Sequence, residues 1–349
     1  KKHWRKNREG GHRKMKKINT YLIFIILSSS HLFSVDKTGT TAAKFLSIGA
    51  GSAAVSMGGA FTSVANDATA MFWNPAGLGF YKTKEVYFNH ANWIADISYD
   101  YFGFTIPLSA RNAFGLNITS VTMDEMEVTR YGNENTGETF KAADYAFGIT
   151  YAINLTDRFS IGFNGKYIQQ SIASSHARGG AIDLGTIFET PFGFRLGTSI
   201  SNFGPKLKMT GDDLLIAADV NQTIEGNNES ITSVLSTDRF DLPLVLRFGI
   251  SDEIIVGSLF RLLWSLDAVS PNDNANYINS GFEISMLNNL FFIRAGINSL
   301  FLAESEKEYS FGLGLNVPGL KNNKVIMNYS FESLEYLGSV QQVGISLKY

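Results

Sequence analysis

The sequence predicts an all-β chain: a transmembrane antiparallel β-barrel of about 14 strands, with an N-terminal plug, or hatch, in its lumen. Three observations carry that expectation. From about Lys84 to the last residue, apolar side chains alternate with small or polar ones, a period of two that puts each apolar set on one face of a strand. Glycine (33), phenylalanine (27) and tyrosine (14) are abundant, charged residues make up only 18%, and mean hydropathy is −0.00. After the first few dozen residues no apolar run approaches the roughly 18–20 positions of a transmembrane helix, so a membrane chain of this composition must cross with strands.

The first residues stand apart. Segment 1–14 is strongly basic and lacks an initiator methionine. We read it as upstream, non-native sequence, with Met15 as the start. Met15-Lys16-Lys17, the apolar stretch Ile18 to Leu27 and Ser28-Ser29-Ser30 then form a signal peptide over 15–34, cleaved near Ser34. Its apolar run is too short for a membrane anchor. Residues 1–34 hold nine basic residues and one acid, so the mature chain keeps 21 basic and 31 acidic residues, a net charge of about −10. That balance argues against nucleic acid as a partner. The chain has no cysteine, which excludes disulfides, thiolate metal sites and a lipidated N-terminal cysteine.

Residues 35–83 are rich in Gly, Ala and Ser and show no sustained alternation. They are expected to form the hatch. Ala53 to Asp67 is expected to hold one short helix, weakened by Gly58-Gly59. Pro75 fixes its own φ and pushes Asn74 out of the α region. Asn74 is suited to bond nearby backbone as Asx turns do, and Gly77 and Gly79 permit tight turns. A plug must satisfy its polar groups against the wall, and Asp67 and Asn74 are the candidates for that role.

Residues 84–349 are expected to form the barrel. Strands fall near 85–93, 96–107, 112–122, 142–153, 157–171, 178–188, 192–202, 242–251, 259–269, 276–286, 289–298, 307–317, 322–333 and 340–349. Short turns at 108–111, 154–156, 189–191, 252–258, 287–288 and 318–321 interleave with longer connections at 123–141, 203–241, 270–275 and 299–306. That rhythm fits an even-stranded barrel with short periplasmic turns, longer external loops and both termini in the periplasm. A soluble sandwich would need bulky apolar residues facing inward. Here the second face is Gly, Ser, Asn, Thr and Ala with occasional charges (Lys166, Arg247, Arg261, Arg294), which suits a polar lumen. Regularly spaced Tyr and Phe are expected as girdles at the two interfaces, and Tyr349 closes the last strand on an aromatic.

Within 49–78, Gly58-Gly59-Ala60, Ala65-Asn66-Asp67-Ala68 and Asn74-Pro75-Ala76-Gly77-Leu78 precede the first strand. In these residues and in its layout the chain resembles the PorV/PorQ family, within the wider FadL-type barrel superfamily. The resemblance implies a hatch in which Asp67, Asn74, Pro75, Ala76 and Gly77 close the barrel. It also implies a role in type IX protein secretion or in attaching secreted proteins to the surface. Partners would be outer-membrane lipid, the type IX translocon and its secreted cargo. The alternative implied by the superfamily is a FadL-like channel for hydrophobic compounds such as long-chain fatty acids. The apolar pieces Leu214-Leu215-Ile216 and Ile231 would then line a cavity under the external loops.

Other motifs carry little chemistry, and no cofactor is expected. Gly49-Ala50-Gly51-Ser52 has no preceding strand and no lysine at P-loop spacing. Asp212-Asp213 and Asp273 lack EF-hand spacing and read as solvated loop acids. The mature chain has two histidines, His90 and His176, neither flanked by a recognisable partner, so no enzyme activity is expected.

Overall fold

The computed structural model describes residues 38–132, 136–219, 230–256, 259–302, 305–319 and 323–349; segment 1–14 and the signal peptide expected over 15–34 lie outside them. Fourteen strands form one closed antiparallel sheet. They are β1 (Glu85–Asn92), β2 (Ser98–Pro107), β3 (Asn112–Thr122), β4 (Ala142–Thr156), β5 (Phe159–Ile172), β6 (Ser175–Glu189) and β7 (Arg195–Phe203). They continue with β8 (Val245–Val256), β9 (Phe260–Pro271), β10 (Tyr277–Met286), β11 (Phe291–Leu300), β12 (Lys307–Pro318), β13 (Lys324–Leu334) and β14 (Gly338–Lys348). Each strand pairs with the next, and β14 returns to β1 with Leu347 opposite Val86 and Gln341 opposite Asn92. Closure gives every strand a neighbour on both sides, as a bilayer demands. Past the last strand, Tyr349 and Lys84 exchange backbone hydrogen bonds of 3.0 and 3.1 Å.

The fourteen alternating runs all appear as strands. Two expected turns differ: residues 154–156 end β4, so that turn falls at 157–158, and residues 252–256 continue β8. The latter pair only with β9, from Asp252 opposite Trp264 to Val256 opposite Phe260, because β7 ends its ladder with β8 at Arg195–Ser251. This stretch of β8 is a sheet edge beyond the end of β7; Glu253, Ile254, Ile255 and Val256 are all exposed and alternation stops.

The burial pattern is that of a soluble protein turned inside out. In β14, Val343, Ile345 and Leu347 are 42–49% exposed, whereas Gln342 and Ser346 between them are 1–2% exposed. The same inversion runs through β4, β5, β11 and β12. An apolar outer face of this kind belongs in hydrocarbon. The outward aromatics do not form two clean girdles: Phe248, Phe282 and Phe311 lie well inside their strands.

A 14-stranded barrel is too wide for wall side chains alone to fill. The hatch fills it. Its regular pieces are a 3₁₀ turn (Lys44–Ser47) and three one-turn helices, α1 (Ser52–Ser56), α2 (Ala70–Trp73) and α3 (Gly77–Phe80). The helix expected over Ala53 to Asp67 stops at Ser56 because Gly58 and Gly59 take φ of +66° and +70°, left-handed values that end a right-handed helix. The hatch starts at the long-loop end of the barrel. There Thr41 bridges to Asp241, and its hydroxyl donates to Asp273 Oδ2 at 2.7 Å. It finishes at the short-turn end, where Ser160 Oγ near the start of β5 donates to the Ala76 carbonyl at 2.8 Å.

The loop roots close the long-loop end over it. Leu207 and Leu242 pack with Phe45 and Leu46 against Ala146, Ile168 and Ala181. Leu215, Ile216 and Ile231, expected to line a cavity, instead form an exposed hairpin (Leu215–Ala218 with Ile231–Val234).

Candidate functional site

The seat of the hatch is the candidate site, and it is built from two alternating features of the wall. The first is small size. Inward-facing glycines lie where hatch backbone presses on the sheet: a Cβ added at Gly162 would strike Pro75 and Ala76, at Gly197 Thr62, at Gly281 Met57, at Gly296 Met57 and Gly58. The second is polar reach. The hatch has little secondary structure of its own, so its backbone groups need partners elsewhere. Wall side chains supply them. Asn89 Oδ1 accepts from Ser52 N at 3.0 Å, Ser310 Oγ from Gly58 N at 3.0 Å, Asp267 Oδ2 from Thr62 N at 2.8 Å and Glu85 Oε2 from Ala68 N at 2.8 Å. Asn164 Nδ2 donates to Met71 O at 3.2 Å, Tyr101 to Ala68 O at 3.1 Å and Arg195 Nη1 to Val64 O at 2.9 Å. The apolar share of the contact includes a large cluster in which Ala68, Met71 and Leu78 of the hatch meet Tyr87, Tyr101 and Ile187 of the wall, and a smaller one of Ala54, Met57, Phe61, Val64 and Trp73 on Leu263 of β9.

The five motif residues divide between wall and hatch. Asn74 is extended (φ −159°, ψ 101°), as a residue before proline should be. Its Nδ2 donates to Thr62 O at 2.8 Å and to Thr186 O of β6 at 3.1 Å, while its Oδ1 accepts from Ala76 N at 3.2 Å, an Asx turn. Asn74 thus ties two hatch segments to the wall. Pro75 and Ala76 lie on Gly162, and Gly77 is pressed against Ala65. Asp67 does not reach the wall. Its carboxylate accepts from Thr69 N at 2.8 Å and from the Thr69 hydroxyl at 2.5 Å, holding the start of α2. The carboxylates that clamp the hatch are instead Glu85 and Asp267, which alternation marks as inward-facing without saying what they meet.

Buried charges complete the wall. Lys166 pairs with Asp183 at 2.8 Å, both nearly inaccessible, and Asp183 also accepts from Asn164 Nδ2 (3.0 Å) and Asn202 N (2.7 Å). Glu283 is shared by Arg261 (2.6 Å) and Arg294 (2.7 Å). These last three line a polar cavity of ≈ 210 Å³ between hatch and wall, with Asp67, Glu85 and Lys348. A second cavity of ≈ 80 Å³ lies around Trp73, Arg247 and Lys307. A larger one, ≈ 470 Å³, lies below the hatch at the short-turn end and is lined largely by Arg158, Glu189, Arg195, Asp252 and Glu253.

Two side chains, Asp273 and His90, differ from their sequence reading, while Asp213 is exposed as expected but bonded. Asp273 is not a solvated acid: it is 2% exposed and holds Thr41 and Lys44, the latter at 2.6 Å. Asp213 accepts from Ser174 N (2.7 Å) and Ser175 Oγ (2.9 Å), fixing the long loop to the start of β6. His90 does have partners, Asp100 at 2.8 Å and Asn92 at 3.2 Å. Both ring nitrogens are therefore engaged, and Ser120, on the next strand, lies beyond Asp100 rather than beside the imidazole.

Several solved structures share the fold at low sequence identity. A FadL homologue of Pseudomonas aeruginosa is 13% identical with a TM-score of 0.51, covering 90% of this chain and 99% of its own. The toluene transporter TodX of Pseudomonas putida is 12% identical (TM-score 0.54; 91% and 99% covered). The toluene transporter TbuX of Ralstonia pickettii is 13% identical (TM-score 0.53; 86% and 97% covered). Among curated proteins none matches significantly. The profile of the family described as type IX secretion system protein PorV matches residues 34–221, more than half of the chain. With that match across the hatch and the first seven strands, on a closed barrel of FadL-like architecture, the chain belongs to the PorV family.

Proposed function

We propose that the chain is a component of type IX secretion in the outer membrane of a Gram-negative bacterium. In this reading it holds secreted proteins or the translocon at its long-loop face and passes nothing through its lumen. The observation that carries the reading is the seated hatch, whose backbone is bonded by side chains from strands all around the wall. The cavities between hatch and wall are ≈ 80 and ≈ 210 Å³, below the roughly 300–1,000 Å³ of ordinary ligand pockets. The larger space at the short-turn end is too charged to suit a hydrocarbon. The FadL-like alternative needs an apolar compartment under the external loops, and the apolar side chains proposed for it point outward.

A pull-down of the tagged mature barrel from native outer membranes, with mass spectrometry of the protein and lipid fractions, tests the choice. Enrichment of a large translocon subunit or of secreted cargo is the expected result. Co-purified fatty acids with no protein partner would sink it in favour of transport.

A further inference from the structure

Arg247, near the long-loop end of β8, points into the lumen and is 7% exposed. A guanidinium carries five donors and a fixed charge, and burying it without partners is costly. Its sole hydrogen bond among the described residues is Nη1 to Ser201 Oγ, 3.1 Å. Its Cζ lies over the Trp73 ring, 5.4 Å from the ring centroid. Of the nearby wall acids, Asp183 pairs with Lys166, whereas Asp267 accepts from Thr62 N with Oδ2 and makes no hydrogen bond to Arg247. The guanidinium borders the ≈ 80 Å³ cavity instead. Across that cavity stands a second cation, Lys307, bound to Glu332 at 2.9 Å, and Asn298 Nδ2 also donates to Glu332 at 2.9 Å. The cavity lining thus holds two cations, Arg247 and Lys307, and one carboxylate, Glu332, which Lys307 already engages. Its floor (Trp73, Arg247, Glu332) is buried, whereas Ser47, Tyr277 and Lys307 are half-buried and lead toward the long-loop end.

We propose that this cavity is an anion site for a carboxylate or phosphate group, entered from the long-loop end, with Arg247 as its principal ligand and Lys307 as its second. The planar fork of Arg247 suits two oxygens of one oxyanion. The volume admits an acetate- or phosphate-sized group but not a long acyl chain. The site is independent of the secretion reading: it rests on residues of the lumen, not on the external loops.

The test uses the full mature barrel in detergent micelles and saturation-transfer NMR with acetate as the probe, followed by competition with inorganic phosphate. Folding of every variant is checked by heat-modifiable electrophoretic migration. Wild type is expected to bind acetate saturably, and Arg247→Gln to bind at least about tenfold more weakly, the loss that one charge-assisted hydrogen-bonded contact represents. Displacement by phosphate marks a site for oxyanions in general, as a lipid headgroup would present. Resistance to phosphate marks a carboxylate site, as a chain terminus would present. Should Arg247→Gln fail to fold, Arg247→Lys keeps the charge without the fork and Lys307→Gln removes the second cation; both are expected to weaken binding. No saturable binding of either probe to folded wild type, or binding unchanged in the folded variants, overturns the proposal.

Discussion

Asn74 makes three hydrogen bonds from a fully buried position, two of them to carbonyls of different segments. Asn74→Ala strands buried carbonyls and is expected to cost about 1–3 kcal/mol for the groups left unpaired, read as a lower urea midpoint of the micelle-folded barrel. Lys166→Met leaves Asp183 charged and buried without its cation. A loss of about 3–5 kcal/mol is expected in the same assay, with part of it restored when Asp183 is also made apolar. Asn74 and Pro75 were legible in the sequence because their chemistry is local: a proline constrains its neighbour, and an Asx turn spans two residues. Asp67 was misassigned for the converse reason, since its acceptor capacity is used two residues away on Thr69. Glu85, Asn89, Asn164 and Asp267 went unnoticed as hatch clamps because their partners lie 17 to 205 residues away in the chain.

At the scale of elements, the strands could be read almost residue by residue, because a bilayer outside and a packed lumen inside impose period two on every one of them. The reading departs from the structure at 154–156, which end β4, and where that physics lapses, in the sheet edge at 252–256 with a single neighbouring strand. The hatch was legible as a distinct segment but not as a path, since its conformation is dictated by the wall and not by its own propensities. The inward glycines give a direct test. Gly296→Val adds a side chain well suited to a strand but directed into Met57 and Gly58. The barrel is expected to persist while the hatch is pushed from β11, measured as new protease cleavage within 49–80 that wild type resists. An unchanged cleavage pattern would mean that the hatch does not depend on this contact. The hairpin Leu215–Ala218 with Ile231–Val234 stands apart from the barrel sheet. Excising 215–234 is expected to leave the urea midpoint within about 0.5 kcal/mol of wild type, as surface changes usually do, while reducing capture of protein partners in the pull-down.

For the molecule as a whole, the seated hatch predicts a closed barrel. In planar bilayers, wild type is expected to give no sustained open-pore steps, and Gly296→Val to give frequent ones. Steady conductance by wild type would contradict the packing described for the lumen. Closure also has a kinetic side. The seam between β1 and β14 joins residues such as Glu85 and Ser346, 261 positions apart, and Gln342 of β14 reaches the Gly49 carbonyl of the hatch across 293 positions. Contacts of such separation form late and slowly. Until the final strand arrives, β1 presents a bare row of backbone donors and acceptors, the kind of edge that recruits other chains. The hatch, meanwhile, lacks its last fastening. Assembly of this barrel therefore ends in one slow stitch that seals the sheet and traps its contents together, and a chain waiting for that stitch needs its open edge held by something else.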